Sequence, residues 1–211
     1  MKPKTMRIAT LLFGLVGVLV LFGCAASPPV AYYTLAPMSD RKAPIDRTGS
    51  QAAMSIGVGP VSLPDVLDRP QIVTRPHPHR VDIAEFHRWG GSLKESLPRV
   101  LAENVAVCLG QEQVVVFPWR GGDRPDYRVS VDILRFDGRL GDSVELVAVW
   151  TVRPKKDDAP PVIDRAVIRM PVSGKDYEAF VDAQSRALAA LAESIATAIA
   201  DLKATGSAHS G

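Results

Sequence analysis

Apolar side chains follow different rhythms along this chain of 211 residues. Over "DYRVSVDILRF" they alternate. Tyr127, Val129, Val131 and Ile133 share one face, and Arg128, Ser130 and Asp132 the other. A period of two marks a strand with one buried face. After Ile133 the apolar phase slips to Leu134 and Phe136, which predicts a β-bulge. "SVELVAVWTV" pairs back across the turn "DGRLGDS", and "RPKKDDAPP" turns the chain into "VIDRAVIRMPV". The three runs predict an antiparallel meander.

Earlier runs are shorter. "YYTL" at 32–35 predicts a first strand, "MSIGVGPVSL" a second, and "QVVVFPW" at 113–119 another. "QIVTRP" and "HRVDIAEFHRW" predict a hairpin around "PHPH". "APMSDRKAPIDRTGSQAA" is polar, proline-containing and aperiodic, and predicts a loop. The glycines of "IGVGPV" predict a place where the backbone bulges or a neighbour comes close.

Two segments carry the helical period instead. Leu93, Leu97, Val100, Leu101, Val105 and Cys108 recur at steps of three and four, which predicts a helix over 92–109. Ser92 and Glu95 have capping-box spacing, and Gly110 is placed to end the helix. Pro98 conflicts with the pattern, because an interior proline costs about 3 kcal/mol; it predicts a kink or a later start. Near the C-terminus Tyr177, Phe180, Val181, Gln184, Leu188, Leu191, Ile195, Ile199 and Leu202 form one long stripe. Asp182, Arg186, Glu193 and Asp201 lie off it. An antiparallel sheet with one apolar face needs a cover, and this helix is the expected one. The remaining 205–211 predict a disordered tail. The expected fold is α+β: a largely antiparallel or mixed sheet with about two main helices packed on it, in a single domain over 32–204.

The first 23 residues follow neither rhythm. Lys2, Lys4 and Arg7 precede an uncharged run from Ile8 to Gly23. Its 16 residues are short against the roughly 20 that a membrane-crossing helix needs, and suit an export signal. Leu21, Gly23 and Cys24 resemble the lipobox of bacterial lipoproteins. That resemblance implies cleavage after Gly23, a diacylglycerol on the Cys24 thiol and an N-acyl chain on its new amino group. Acyl chains in that number anchor a protein stably. The tether that follows, 24–31, is short: its last seven residues, "AASPPVA", span at most about 25 Å.

Losing the signal changes the charge. The full chain has 25 basic and 23 acidic residues; removing Lys2, Lys4 and Arg7 leaves 22 against 23. The basic bias belongs to the signal, so nothing points to a nucleic-acid partner. With Cys24 acylated, Cys108 is the one remaining cysteine, and no internal disulfide is expected. Its place on an apolar helix face predicts a buried, unreactive thiol.

Catalytic constellations are absent from the sequence. There is no G-x-S-x-G elbow, "SGKD" at 173–176 lacks the upstream glycine of a phosphate-binding loop, and "IGVGPV" lacks the third glycine of a dinucleotide site. His77 and His79 at i, i+2, with His87 as a third, have metal-ligand spacing, but Pro76 and Pro78 predict a turn tip there, and no metal site is expected. Asp65 and Asp68 flank "PDVLDRP" with no nucleophile beside them, which predicts turn roles or an ion pair with Arg69. No enzyme is expected.

Several stretches, in order, resemble the PqiC/YmbA type of ABC-transport auxiliary lipoproteins. They are "YYTL", "IGVGPVSLPDVLDRPQIVTR" at 56–75, "AEFHRW" at 84–89, "VLAENV" at 100–105, "VVVFPW" at 114–119, "DYRVSVDILRFDG" at 126–138 and "AQSRALAAL" at 183–191. The resemblance implies an outer-membrane lipoprotein facing the periplasm, the accessory or docking component of an MCE-type intermembrane lipid transport system. Its implied partners are an MCE-domain channel protein and an inner-membrane transport component, with homo-oligomers an open possibility. Ala25 after Cys24 agrees with the outer membrane. The family transfers no catalytic residues and no cofactor beyond the acyl chains. The loop of Pro64, Asp65, Leu67, Asp68, Arg69 and Pro70 is the candidate partner contact. The alternative is a periplasmic carrier that holds lipid between sheet and helix.

Overall fold

The computed structural model describes residues 28–38, 54–119, 124–155 and 160–208. Cys24, Gly23 and the signal lie outside them, as do most of the polar loop before Met54 and the last three residues. From Ala31 onward the chain forms one unit. Its elements are β1 (Ala31–Tyr33), β2 (Ile56–Ser62), β3 (Gln71–His77), β4 (Arg80–Trp89), α1 (Leu93–Leu109), β5 (Val114–Val116), β6 (Tyr127–Gly138), β7 (Ser143–Pro154), β8 (Val162–Pro171) and α2 (Tyr177–Ala208). The α+β class is as expected.

The strands divide between two sheets, in the orders β1-β4-β3 and β5-β2-β6-β7-β8. The β3-β4 hairpin and the β6-β7-β8 meander are antiparallel, as the alternation predicted. β2 is different: it runs parallel to both its neighbours, β5 and β6. α1 carries the chain back to the starting end of β2 before β5 begins, as parallel pairing requires.

The bulge in β6 falls between Ile133 and Arg135. It turns Phe136 into the core, while Leu134, expected to follow Phe136 inward, is the extra residue and is 49% exposed. α1 begins at Leu93 without delay, and Pro98 sits inside it. The helix loses the one bond that Pro98 would have donated toward Lys94 and continues. Half of the predicted capping box forms: the Ser92 hydroxyl accepts from Glu95 N–H at 3.3 Å, while the Glu95 carboxylate lies 4.0 Å from Arg99. Gly110 ends the helix with φ 61°, a left-handed conformation that favours glycine.

α2 has 32 residues and runs to Ala208, past the point where a disordered tail was expected; at about 1.5 Å per residue it is about 48 Å long. Phe180, Leu188, Leu191, Ile195 and Ile199 are fully buried. The helix packs on β6, β7, β8 and α1, so it covers its own sheet, as the stripe predicted. No helix among the described residues is long and apolar enough to cross a membrane.

The two sheets meet at Asp137, whose side chain is 2% exposed. Arg75 of β3 donates to its Oδ2 at 2.8 Å and Arg135 to its Oδ1 at 2.8 Å. Arg135 also reaches Glu145 at 2.8 Å. Burial works against the Arg135 cation, but its bonds to Asp137 and Glu145 outweigh that and raise its pKa. Next to this joint Gln184 of α2 donates to the Phe136 carbonyl at 3.2 Å, tying the helix to the same corner.

Truncating Asp137 leaves two guanidiniums facing a buried gap. Asp137→Ala should lower the unfolding free energy by about 1–3 kcal/mol, measured by urea denaturation, because both guanidiniums lose hydrogen bonds at the seam but keep some access to water, and Arg135 keeps Glu145. A loss below about 1 kcal/mol would show that the joint is not structural.

Candidate docking loop and sheet-edge cavity

The loop between β2 and β3 links the two sheets. Leu67 N–H donates to the Pro64 carbonyl at 2.8 Å, Asp68 N–H to Asp65 at 3.2 Å and Arg69 N–H to Leu67 at 2.9 Å, which gives two overlapping β-turns followed by a γ-turn. The Pro70 carbonyl accepts from Trp89 N–H at 2.7 Å. Leu67 is 3% exposed and plugs the loop into the core. It therefore leaves the set of candidate contacts, because a side chain turned inward cannot touch a partner. Asp65, Asp68 and Pro70 stay on the exposed side, and Pro64 and Arg69 are partly buried. Of the two roles expected for these acids, the turn role is seen in the Asp68–Asp65 backbone bond, while the ion pair of Asp68 is with Lys94 of α1 at 3.2 Å and not with Arg69. The Arg69 Nε–H is buried without an acceptor among the described residues.

The histidines do not converge. His77 and His79 are exposed on the β3-β4 turn, and no cluster among the described residues has the makings of a metal site. His87 lies elsewhere: its Nδ1 is 2.8 Å from the Tyr33 hydroxyl, and its ring stacks on Tyr177 with centroids 4.0 Å apart. This stack fastens β1 and β4 to the first turn of α2. Burial raises the pKa of Tyr177, and the charge of Asp82 adds to it. Cys108 is partly buried, with its sulfur 3.9 Å from Met38 Sδ. Burial, then the charge of Glu193, pushes its pKa up, which disfavours the reactive thiolate.

A cavity of about 1010 Å³ opens along the β5 edge, between the strand, Trp119, Pro125 and Lys155. The glycine signal is explained here. The Trp119 ring and Pro125 lie over Gly57, where a Cβ would meet them at 2.6–2.7 Å. Gly59 has φ 120°, a conformation that L side chains rarely adopt, just where the β2-β6 register shifts. Sequence reading had not singled out Trp119 or the neighbouring arginines as a group. Ser55 lines the cavity and is held by Asp126, whose Oδ2 accepts from the Ser55 N–H and hydroxyl, each at 2.9 Å.

The bond from Ser55 N–H is the chief cause holding the Asp126 pKa below the ordinary carboxylate range. A depressed folded-state pKa stabilises the fold above the unfolded value, about 3.9, and that stability fades as pH falls through the folded value. Asp126 is 45% exposed, so the effect is screened and small. Urea midpoints of wild type and Asp126→Asn should therefore differ at pH 7 and converge toward pH 3. A constant difference between the two pH values would assign the loss to packing.

With the geometry in place, the chain can be set beside known proteins. Residues 33–196 match the family described as ABC-type transport auxiliary lipoprotein component. The chain belongs to that family, whose members are of the PqiC/YmbA type. Among curated proteins none matches. Two solved structures share the fold. One is an uncharacterized protein at 20% identity and TM-score 0.63, aligned over 82% of this chain and 99% of that one. The other is a Xanthomonas campestris protein of the DUF330 family at 17% identity and TM-score 0.58, aligned over 78% and 92%.

Proposed function

We propose that this protein is the outer-membrane-anchored docking component of an MCE-type intermembrane lipid transport system, held by acyl chains on Cys24 and facing the periplasm. Membership of a transport auxiliary lipoprotein family carries the reading. The lipobox-like Leu21-x-Gly23-Cys24 and the short tether supply the means of anchoring. The partners on this reading are the MCE-domain channel protein and the inner-membrane transport component. The Pro64–Pro70 loop suits contact with the channel because it is already ordered: buried Leu67, two turns and the Lys94 pair fix it, so binding costs little ordering entropy.

The carrier alternative gains less support. The space between sheet and helices, where it would hold lipid, is filled by Phe136, Leu146, Phe180, Leu188 and Leu191, all fully buried.

Proximity crosslinking of the anchored protein in cells should recover the MCE-domain protein, and Asp65→Arg/Asp68→Arg should reduce that yield severalfold without loss of folding. Recovery of no MCE-domain protein would overturn the docking role. Cys24→Ala should abolish acyl labelling and release the domain from the membrane while it remains folded. Labelling that persists in that variant would overturn the anchor.

A further inference from the structure

The outer face of the larger sheet, away from the helices, carries an arrangement that folding alone does not explain. Arg128 of β6 and Arg153 of β7 are directly opposite in the antiparallel register, so their side chains leave the same face side by side. Like charges so placed destabilise a sheet. Neither forms an ion pair with a carboxylate among the described residues, and the same is true of Arg124. Across the next strand pair Arg128 is in register with Gly57, the residue that Trp119 covers. Trp119, two further cations, Arg124 and Lys155, and one carboxylate, Glu112, line the adjoining cavity, so cations outnumber acids there two to one. Two buried donors in this row, Arg128 Nε–H and Trp119 Nε1–H, have no acceptor among the described residues. The nearby carboxylate of Asp126 is already committed to Ser55, at 4.0 Å from Lys155.

We infer that this row is a binding site for a phosphoryl anion: the headgroup of a phospholipid, or a free phosphate ester. Two neighbouring guanidiniums present planar forks that match phosphoryl oxygens two at a time. A bound dianion or diester turns their mutual repulsion into a clamp and offers acceptors to donors that have none. The half-exposed apolar side chains of Val115 and Phe117 beside the cavity, each 47% exposed, suit the glycerol and first acyl carbons of a lipid. The site rests on charge placement and is independent of docking to a channel.

The lipidated protein in maltoside micelles, which contain no phosphate, provides the test. Inorganic phosphate, glycerol phosphate, phosphatidylglycerol in mixed micelles and neutral diacylglycerol are titrated in turn. Trp119 fluorescence is followed (Trp89 and Trp150 are 6% and 3% exposed), together with the thermal midpoint. Phosphate-bearing probes should shift both signals, and R128Q/R153Q should weaken their binding at least tenfold. That variant should fold with an unchanged or higher midpoint, because it removes a repulsion. R153Q alone, at an exposed position, should show a smaller loss. Saturation by phosphatidylglycerol but not by the soluble probes identifies a lipid headgroup; saturation by the soluble probes alone identifies a free phosphate ester. Responses no larger than those to chloride at equal ionic strength, or equal binding by wild type and variant, would overturn the site.

Discussion

The buried carboxylate of Asp137, held between Arg75 and Arg135, is the constraint on which the architecture depends. The domain is built from two separate sheets, and a small sheet of three strands has little core of its own. Its position must be set from outside. Asp137 does this with an interaction that has direction as well as strength: both oxygens are used, one by each sheet. Hydrophobic contact alone would hold the sheets together without fixing their angle. The β6 bulge is what makes the joint possible. It shifts the phase by one residue, so that Phe136 enters the core and Asp137 arrives at the seam.

From this corner the rest of the domain is tied inward. Gln184 joins α2 to the Phe136 carbonyl, and the Tyr33, His87 and Tyr177 rings join the small sheet to the start of the same helix. The Ser185 hydroxyl accepts from Ala36 N–H at 3.1 Å, and Asn104 Oδ1 from Met38 N–H at 2.7 Å. The segment just after β1 is therefore strapped to both helices. On the proposed docking reading such bracing is useful, because a domain tied at both ends keeps its contact surface in a fixed place. The Pro64–Pro70 loop shares this character, since it bridges the two sheets and carries Leu67 into the core.

Much of this was legible in the sequence. Local periodicity is a property of consecutive residues, so the β6-β7-β8 meander, the β3-β4 hairpin, the cap at Ser92 and the stripe of α2 could all be read directly. Pairing between distant strands leaves no such mark. Nothing near Ile56 announces that β2 lies parallel between β5 and β6, or that the strands split into two sheets. The loop residues were named as a candidate contact beside the family resemblance, but the directions of their side chains were not legible: Leu67 turns inward and Asp68 pairs with Lys94. Trp119 and the arginines went unseen for the same reason. Gly57, Trp119, Arg128 and Arg153 are scattered in sequence and become neighbours only through strand register.

The placing of β2 also sets the order in which the molecule can assemble. Ser55 waits for Asp126, 71 residues later, and Ala36 waits for Ser185, 149 residues later. A chain delivered from its N-terminus can form the β3-β4 hairpin early and seat β1 on it, but β2 has no strand neighbours until β5 and β6 follow, and the segment after β1 has no tie to α2 until the final helix arrives. Contacts of such long range slow folding, because chain entropy is lost before they reward it. On the proposed reading, in which the chain crosses a membrane as an extended thread before it is anchored, that delay is useful: the segment just after β1 is strapped down only when the last helix has arrived.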